Sequence, residues 1–345
     1  MSPARCHLPA AIRDERRVWG ASCQLYALKS IRNWGIGDFT DLRLLTDCCA
    51  EAGADLVGLN PLHALYPNYP QHYGPYTPSS RLYLNVLYLD VEAVPEFAQC
   101  GPALDSVHSA AFQQEIHALR NRELVDYQAV AERKFRVLEH LYETFRRLHF
   151  EPETERGQAF RAFQAREGES LHRHTLFEAL QEHVHLNSTD AKDWSAWPEP
   201  FRRAESPEVK EFEAAHRERV EFYQYLQWQA EAQLQAIHER ADSHDLGIGL
   251  YQDLAVSVDR HGAETWSDPS LYATGVNIGA PPDDFSLTRQ DWGLPPPLPQ
   301  RMRETNYASF IQTLRRNMRH AGALRIDHVM GLMRLFWVPV GSQAT

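Results

Sequence analysis

Near its C-terminal end the sequence carries the run ALRIDHVMGL (residues 323–332), an alternating apolar segment that delivers Arg325, Asp327 and His328 to one tip. In a strand of period two, Arg325 and Asp327 share a face. A guanidinium beside a carboxylate keeps it ionised and oriented, as a nucleophile requires. His328 falls on the opposite face unless the strand has already turned. Asp253 ends a second apolar run, Leu246 to Val258, and a carboxylate there can accept hydrogen bonds from two sugar hydroxyls. For both acids a structural reading competes: a helix cap or ion pair for Asp327, a hydrogen bond to the next loop for Asp253. Carboxylate chemistry on a glycosidic bond needs a second carboxyl group. Eighteen residues follow Asp327, which leaves little chain to supply it.

Three loop-like stretches have the composition of a saccharide site. Asn68 to Leu82 sets Tyr69, Tyr73 and Tyr76 among Pro and Gly, a rigid platform on which a sugar ring can stack. The similar run Ser30 to Asp41 surrounds Trp34 and the candidate sugar-binding Asp38 with Gly35 and Gly37. The Pro-rich segment 279–299 is expected to be a stiff lid, with Phe285 and Trp292 closing over a ligand. Other chemistries lack their signatures. There is no Gly-x-Ser-x-Gly elbow, Walker loop or His-Glu-x-x-His helix, and Gly35-Ile36-Gly37 lacks the third glycine of a dinucleotide fingerprint. The His172/His174 and His183/His185 pairs alternate within charged helical sequence, which suggests solvated faces rather than metal ligands. No cofactor or metal is expected.

These residues need a scaffold, and the hydropathy pattern supplies three blocks. Residues 1–99 alternate short strands with turn-rich loops: Val18 to Leu28 as a strand, Asp41 to Ala52 as an amphipathic helix, Asp55 to Leu62 as a buried strand ended by Pro61. Residues 100–245 read as a mainly helical insertion, with packing faces such as Phe135, Leu138, Leu141, Tyr142 and Phe145. Residues 246–345 return to strands, including the lid segment, a helix from Tyr307 to His320, the strand at 323–329 and a further apolar segment, Leu335 to Val340. Strands interleaved with helices favour a parallel sheet or a (β/α) barrel. The chain of 345 residues suits one such barrel with an insertion. The net charge of −11 disfavours a general nucleic-acid binder and suits a neutral substrate. Five cysteines without zinc spacing, and neither a signal peptide nor a membrane span, point to a cytoplasmic protein with reduced thiols.

On five segments the chain resembles the 4-α-glucanotransferases of glycoside hydrolase family 77, the amylomaltases or disproportionating enzymes, and most of all their bacterial maltodextrin-pathway branch. These are VWGASCQLYALKSIRNWGIGDFTDL (18–42), YGPYTPSSRLYLNVLYLDVEAVPEF (73–97), LYQDLAVSVDRHGAETW (250–266), GAPPDDFSLTRQDWGLPP (279–296) and ALRIDHVMGLMRLFWVPVG (323–341). The resemblance implies a (β/α)8 TIM-type barrel, of which about the first half is expected here, and a retaining double displacement on α-1,4-glucans such as maltodextrins. It implies Asp327 as nucleophile and Arg325 as its support. His328, Asp253 and Tyr76 would contact the sugar beside the cleaved bond, and Trp292 would be an aromatic of the lid. Arg289 and Ser257 depart from the pattern, each replacing a usual glycine. The family's acid/base Glu lies on the next barrel strand and a further Asp beyond it; neither is assigned, and the N-terminal domain of long members is not matched. The expectation is a chain cut short, inactive alone and poorly soluble or associating with a complementary fragment. A non-catalytic maltodextrin-binding module and another α-glucan-acting barrel hydrolase are the alternatives.

Overall fold

The computed structural model describes residues 8–187, 192–282, 284 and 287–341. Its strands are β1 (Gly20–Cys23), β2 (Leu56–Leu59), β3 (His63–Ala64), β4 (Ser80–Leu84), β5 (Gly249–Leu254), β6 (Val276–Ala280), β7 (Gln290–Leu294), β8 (Ala323–Ile326) and β9 (Phe336–Pro339). Its α-helices are α1 (Ala10–Arg13), α2 (Phe39–Glu51), α3 (Gly101–His108), α4 (Ala110–Arg120), α5 (Tyr127–Phe145), α6 (Glu155–Asn187), α7 (Pro207–Ala215), α8 (Arg217–Ser243), α9 (Ala263–Ser267), α10 (Pro299–Glu304) and α11 (Ala308–Asn317).

The central sheet is parallel, in the order β1-β2-β5-β8. Parallel strands must be joined by crossovers, and helices provide them: α2 between β1 and β2, the block α3–α8 between β2 and β5, and α11 before β8. Val57, Leu59, Leu250 and Leu254 are buried, as expected where helices cover a parallel sheet. Gly322 opens β8, and a Cβ there would lie 1.4 Å from the Ile248 carbonyl oxygen, so only glycine lets the two backbones meet.

The helical block holds an aromatic core of its own. Phe145 packs edge-on against Phe160 at 5.4 Å, and Phe177 stacks on Trp197, which is fully buried. Gly168, with φ at +59°, kinks α6. Glu167 of α6 and Glu231 of α8 gather Arg166, Arg319 and His320, so the block is tied to the chain that leads into β8.

Several expected elements come out differently. Of Val18 to Leu28, only Gly20–Cys23 is strand; Asn60 Oδ1 accepts the Leu25 N–H at 2.8 Å and Leu25–Ala27 folds as a 3₁₀ turn. The segment 279–299 is not simply a loop. β6 pairs antiparallel with both β7 and β9, so the Leu335 to Val340 segment joins this small sheet and not the parallel one. His174 is buried, not solvated: its ring stacks on Tyr83 at 4.4 Å, and burial lowers its pKa to about 3. Val329, Met330, Leu332 and Met333, in the turn that follows β8, are more than half exposed, an apolar patch next to a strand with one edge unpaired among the described residues.

Burial alone would raise the Glu231 pKa, but bonds from His320, Arg319 and Arg166 outweigh it and hold the carboxyl at about 2. A depressed folded-state pKa contributes stability above the ordinary value of 4.5 that is lost as pH falls toward 2. Glu231→Gln is therefore expected to flatten the decline of urea-unfolding stability across that window. An unchanged slope would show that the carboxylate does not carry it.

Candidate active site

The parallel register builds the site. Asp253 of β5 lies directly opposite Arg325 of β8, so their side chains leave the sheet together. Asp327 follows β8, and its N–H still donates to Leu254 O at 3.1 Å, which extends the ladder by one residue and keeps Asp327 on the face of Arg325. The guanidinium then serves both acids. Arg325 Nη1 lies 2.6 Å from each oxygen of Asp253, and Nη2 donates to Asp327 Oδ1 at 2.6 Å. Hydrogen bonding to Asp253 is the main reason its pKa is raised further, so the fork stays charged.

Tyr76 closes the other side, its hydroxyl donating to Asp253 Oδ2 at 2.8 Å. Burial, with that bond, pushes its phenol up to about 12. The backbone of His328 adopts φ +50°, ψ +57° and swings out of the strand; its ring meets the edge of Trp292 at 4.9 Å. A cavity of about 340 Å³ lies beneath, lined by Ser22, Gln24, Asn60, Tyr76, Asp253 and Arg325. Asp253 is buried, whereas the Asp327 side chain is 27% exposed and remains open to a ligand.

The structure thus brings together Tyr76, Asp253, Arg325, Asp327, His328 and Trp292. Asp38 is elsewhere. It caps α2, accepting from Thr40 N and Asp41 N at 3.0 Å, while Arg32 reaches it at 2.8 Å; it is buried and, unlike Asp253, lines no part of the cavity. The helix cap that competed with chemistry at Asp327 is what Asp38 does. Tyr73 stacks flat on Tyr127 at 4.7 Å and Tyr69 packs against His185, so of the three loop tyrosines only Tyr76 reaches the acids. Phe285 lies outside the described residues. The two departures from the family pattern have local roles: Ser257 Oγ donates to Pro295 O at 2.8 Å, and the Arg289 guanidinium lies over the Phe336 ring. No group of three or more His, Cys, Asp or Glu able to hold a metal occurs among the described residues, nor is any of their helices long and apolar enough to cross a membrane.

Sequence reasoning did not single out His72, Asp259 and Lys192, which meet behind Tyr76. They are too far apart in the chain for any local spacing to have revealed them.

A parallel β/α sheet with charged residues gathered at the C-terminal ends of its strands is where enzymes of the α/β class, barrels and open sheets alike, build their active sites. Comparison with known proteins narrows this. The profile of glycoside hydrolase family 77, described as 4-alpha-glucanotransferase, matches residues 23–345, and the chain belongs to that family. It is 39% identical to a 4-alpha-glucanotransferase of Haemophilus influenzae over 100% of this chain and 50% of that protein. With the Mycobacterium bovis 4-alpha-glucanotransferase it shares 37% identity over 96% of this chain and 45% of that one. The amylomaltase crystal structure from Corynebacterium glutamicum superposes with a TM-score of 0.79 at 31% identity, covering 95% of this chain and 43% of that one. An amylomaltase from Streptococcus agalactiae, solved in complex with acarbose, shares the fold with a TM-score of 0.78 at 22% identity, covering 95% of this chain and 62% of that one. The chain spans about half the length of the curated relatives it matches.

Replacing Arg325 tests the fork. Arg325→Met leaves buried Asp253 without its cation and is expected to cost about 2 kcal/mol in urea unfolding. Arg325→Lys should recover less than half of that, because a point charge cannot bridge two carboxylates. Equal stability of the three proteins would remove the fork from the account.

Proposed function

We propose that this chain provides the attacking half of a 4-α-glucanotransferase site, with Asp327 as nucleophile on an α-1,4-glucan. The observation that carries this is the single guanidinium bridging Asp253 and Asp327 at the ends of adjacent parallel strands. In the first displacement an Asp327 oxygen bonds to the anomeric carbon as the C1–O4 bond breaks, and the leaving glucan takes a proton on its oxygen. In the second, the hydroxyl of an acceptor sugar displaces Asp327 and gives its proton to the carboxylate left by the acid that protonated the leaving glucan. Two inversions give net retention. Arg325 aims the attacking carboxylate through its hydrogen bond to Oδ1, and Asp253 with Tyr76 supplies acceptor and hydroxyl groups to the sugar beside the cleaved bond. His328 and Trp292 offer a polar edge and an apolar face on the lid side.

The proton for the leaving oxygen needs a carboxylic acid. Among the described residues the carboxylate joined to Asp327 through Arg325 is Asp253, and its oxygens already accept from Tyr76 and Arg325. Loss of general acid catalysis typically costs about 10²–10⁴-fold. Saccharide binding without useful turnover is therefore the expected behaviour of this chain alone.

Calorimetry with maltotriose and acarbose, paired with chromatography of products from maltotriose, tests both halves of the reading. Binding should be measurable and should weaken about tenfold in Asp253→Asn, the scale of one lost charge-assisted hydrogen bond. No ladder of longer glucans should form. Absence of binding would overturn the site, and rapid disproportionation would overturn the inactivity.

A further inference from the structure

The Tyr76–Asp253 pair depends on where Tyr76 sits, and Tyr76 stands on a turn with little core of its own. Tyr73 and Tyr76 are 55% and 40% exposed, and within the turn His72 N donates to Tyr69 O and Thr77 N to Gly74 O. What anchors this turn is a chain of polar contacts running back into the helical block.

His72 is at its centre. Lys192 Nζ lies 2.7 Å from His72 Nδ1. An ammonium has donors and no acceptor, so Nδ1 accepts and the imidazole proton resides on Nε2. That nitrogen is 3.3 Å from the carbonyl oxygen of Thr77, the residue after Tyr76, and 2.8 Å from Asp259 Oδ2. Asp259 belongs to the loop that follows the Asp253 strand, and its own N–H donates to Pro78 O at 2.7 Å. The imidazole thus joins the turn bearing Tyr76 to the loop leaving Asp253, the two sides between which the Tyr76–Asp253 bond must form. Burial would raise the Asp259 pKa, but His72, the His261 N–H and Lys192 together hold it below the usual carboxylate range. Tyr66 meets the imidazole edge to face at 5.0 Å. Beside Lys192, Asp193 lies 2.6 Å from His261 Nδ1 and the Trp194 indole donates to Thr265 Oγ1 at 3.2 Å, so the same stretch of the helical block holds the second loop as well.

We propose that His72 is a positioning residue for Tyr76, fixed in the required tautomer by Lys192 of the helical block. The proposal rests on the reading of Tyr76 and Asp253 as the saccharide-contacting pair, and it gives the helical block a part in shaping the site. A Lys192 that merely decorates the surface would be dispensable. One that sets the imidazole proton would not.

Nitration by tetranitromethane, mapped by peptide mass spectrometry, reads the Tyr76 phenol directly, because the phenolate is the species that reacts. Tyr307, 47% exposed and on another element, serves as the internal reference. In Lys192→Met and His72→Ala the Tyr76-to-Tyr307 nitration ratio is expected to rise about tenfold, the change produced by one pKa unit. His72→Gln, whose amide can still donate toward Thr77 and Asp259, should restore the wild-type ratio. Lys192 is at the surface, so its variant tests the proposal even should His72→Ala not fold. An unchanged ratio in Lys192→Met overturns the role of Lys192, and an unchanged ratio in folded His72→Ala overturns that of His72. Acarbose affinity separates this from the functional reading: a raised ratio in the variants, with no acarbose binding by the wild type, upholds the positioning role and sinks the saccharide site.

Discussion

One guanidinium between two carboxylates organises this molecule. Asp253 and Asp327 carry like charges on neighbouring strand ends, and without Arg325 they would repel. With it, each arm of the fork takes one acid, and the planar geometry fixes both at once. That arrangement exists only in one register. A slip of β8 by a single residue would turn Arg325 and Asp327 to the helical face of the sheet. The surrounding structure serves to forbid that slip: Gly322 lets β8 approach Ile248, Leu250 and Leu254 are buried beneath helices, and Glu167 and Glu231 clamp the residues just before the strand.

The helical block has a larger share in this than its sequence suggests. It contributes Glu167 and Glu231 to the approach of β8, and Lys192, Asp193 and Trp194 to the loops behind Tyr76. Its aromatic core, with Phe145 against Phe160 and Phe177 on Trp197, gives it packing of its own. Contacts of this kind tie the long insertion to both ends of the sheet, to the chain entering β8 on one side and to the loop leaving β5 on the other.

The pieces legible in the sequence were those set by local pattern. Period-two alternation gave Arg325 and Asp327 a common face, and an apolar run gave Asp253 its strand end. The tyrosine-rich loop was recognisable, and Tyr76 emerges from it in contact with Asp253. The errors also have physical causes. Asp38 sits in a Gly-rich, aromatic run like a sugar loop, yet the Asp-x-x-Asp spacing that makes it a buried helix cap is equally local and was the better guide. Prolines in 279–299 suggested a loop, but they cluster outside β6 and β7, which pair freely. The alternation around His174 indicated a charged face, while stacking on Tyr83 from a remote strand decided its burial. His72, Asp259 and Lys192 meet only through tertiary folding, and no spacing could have announced them.

At issue is whether Asp327, held by Arg325, attacks an anomeric carbon. A glycosyl fluoride tests it most directly, because fluoride leaves without a proton and the reaction then needs no general acid. The chain should be incubated with α-maltosyl fluoride, quenched in acid and analysed by peptide mass spectrometry. A maltosyl ester on the peptide containing Asp327, absent in Asp327→Asn, is the predicted result. An adduct that persists in Asp327→Asn, or no adduct in wild-type chain saturated with the fluoride, would contradict the account.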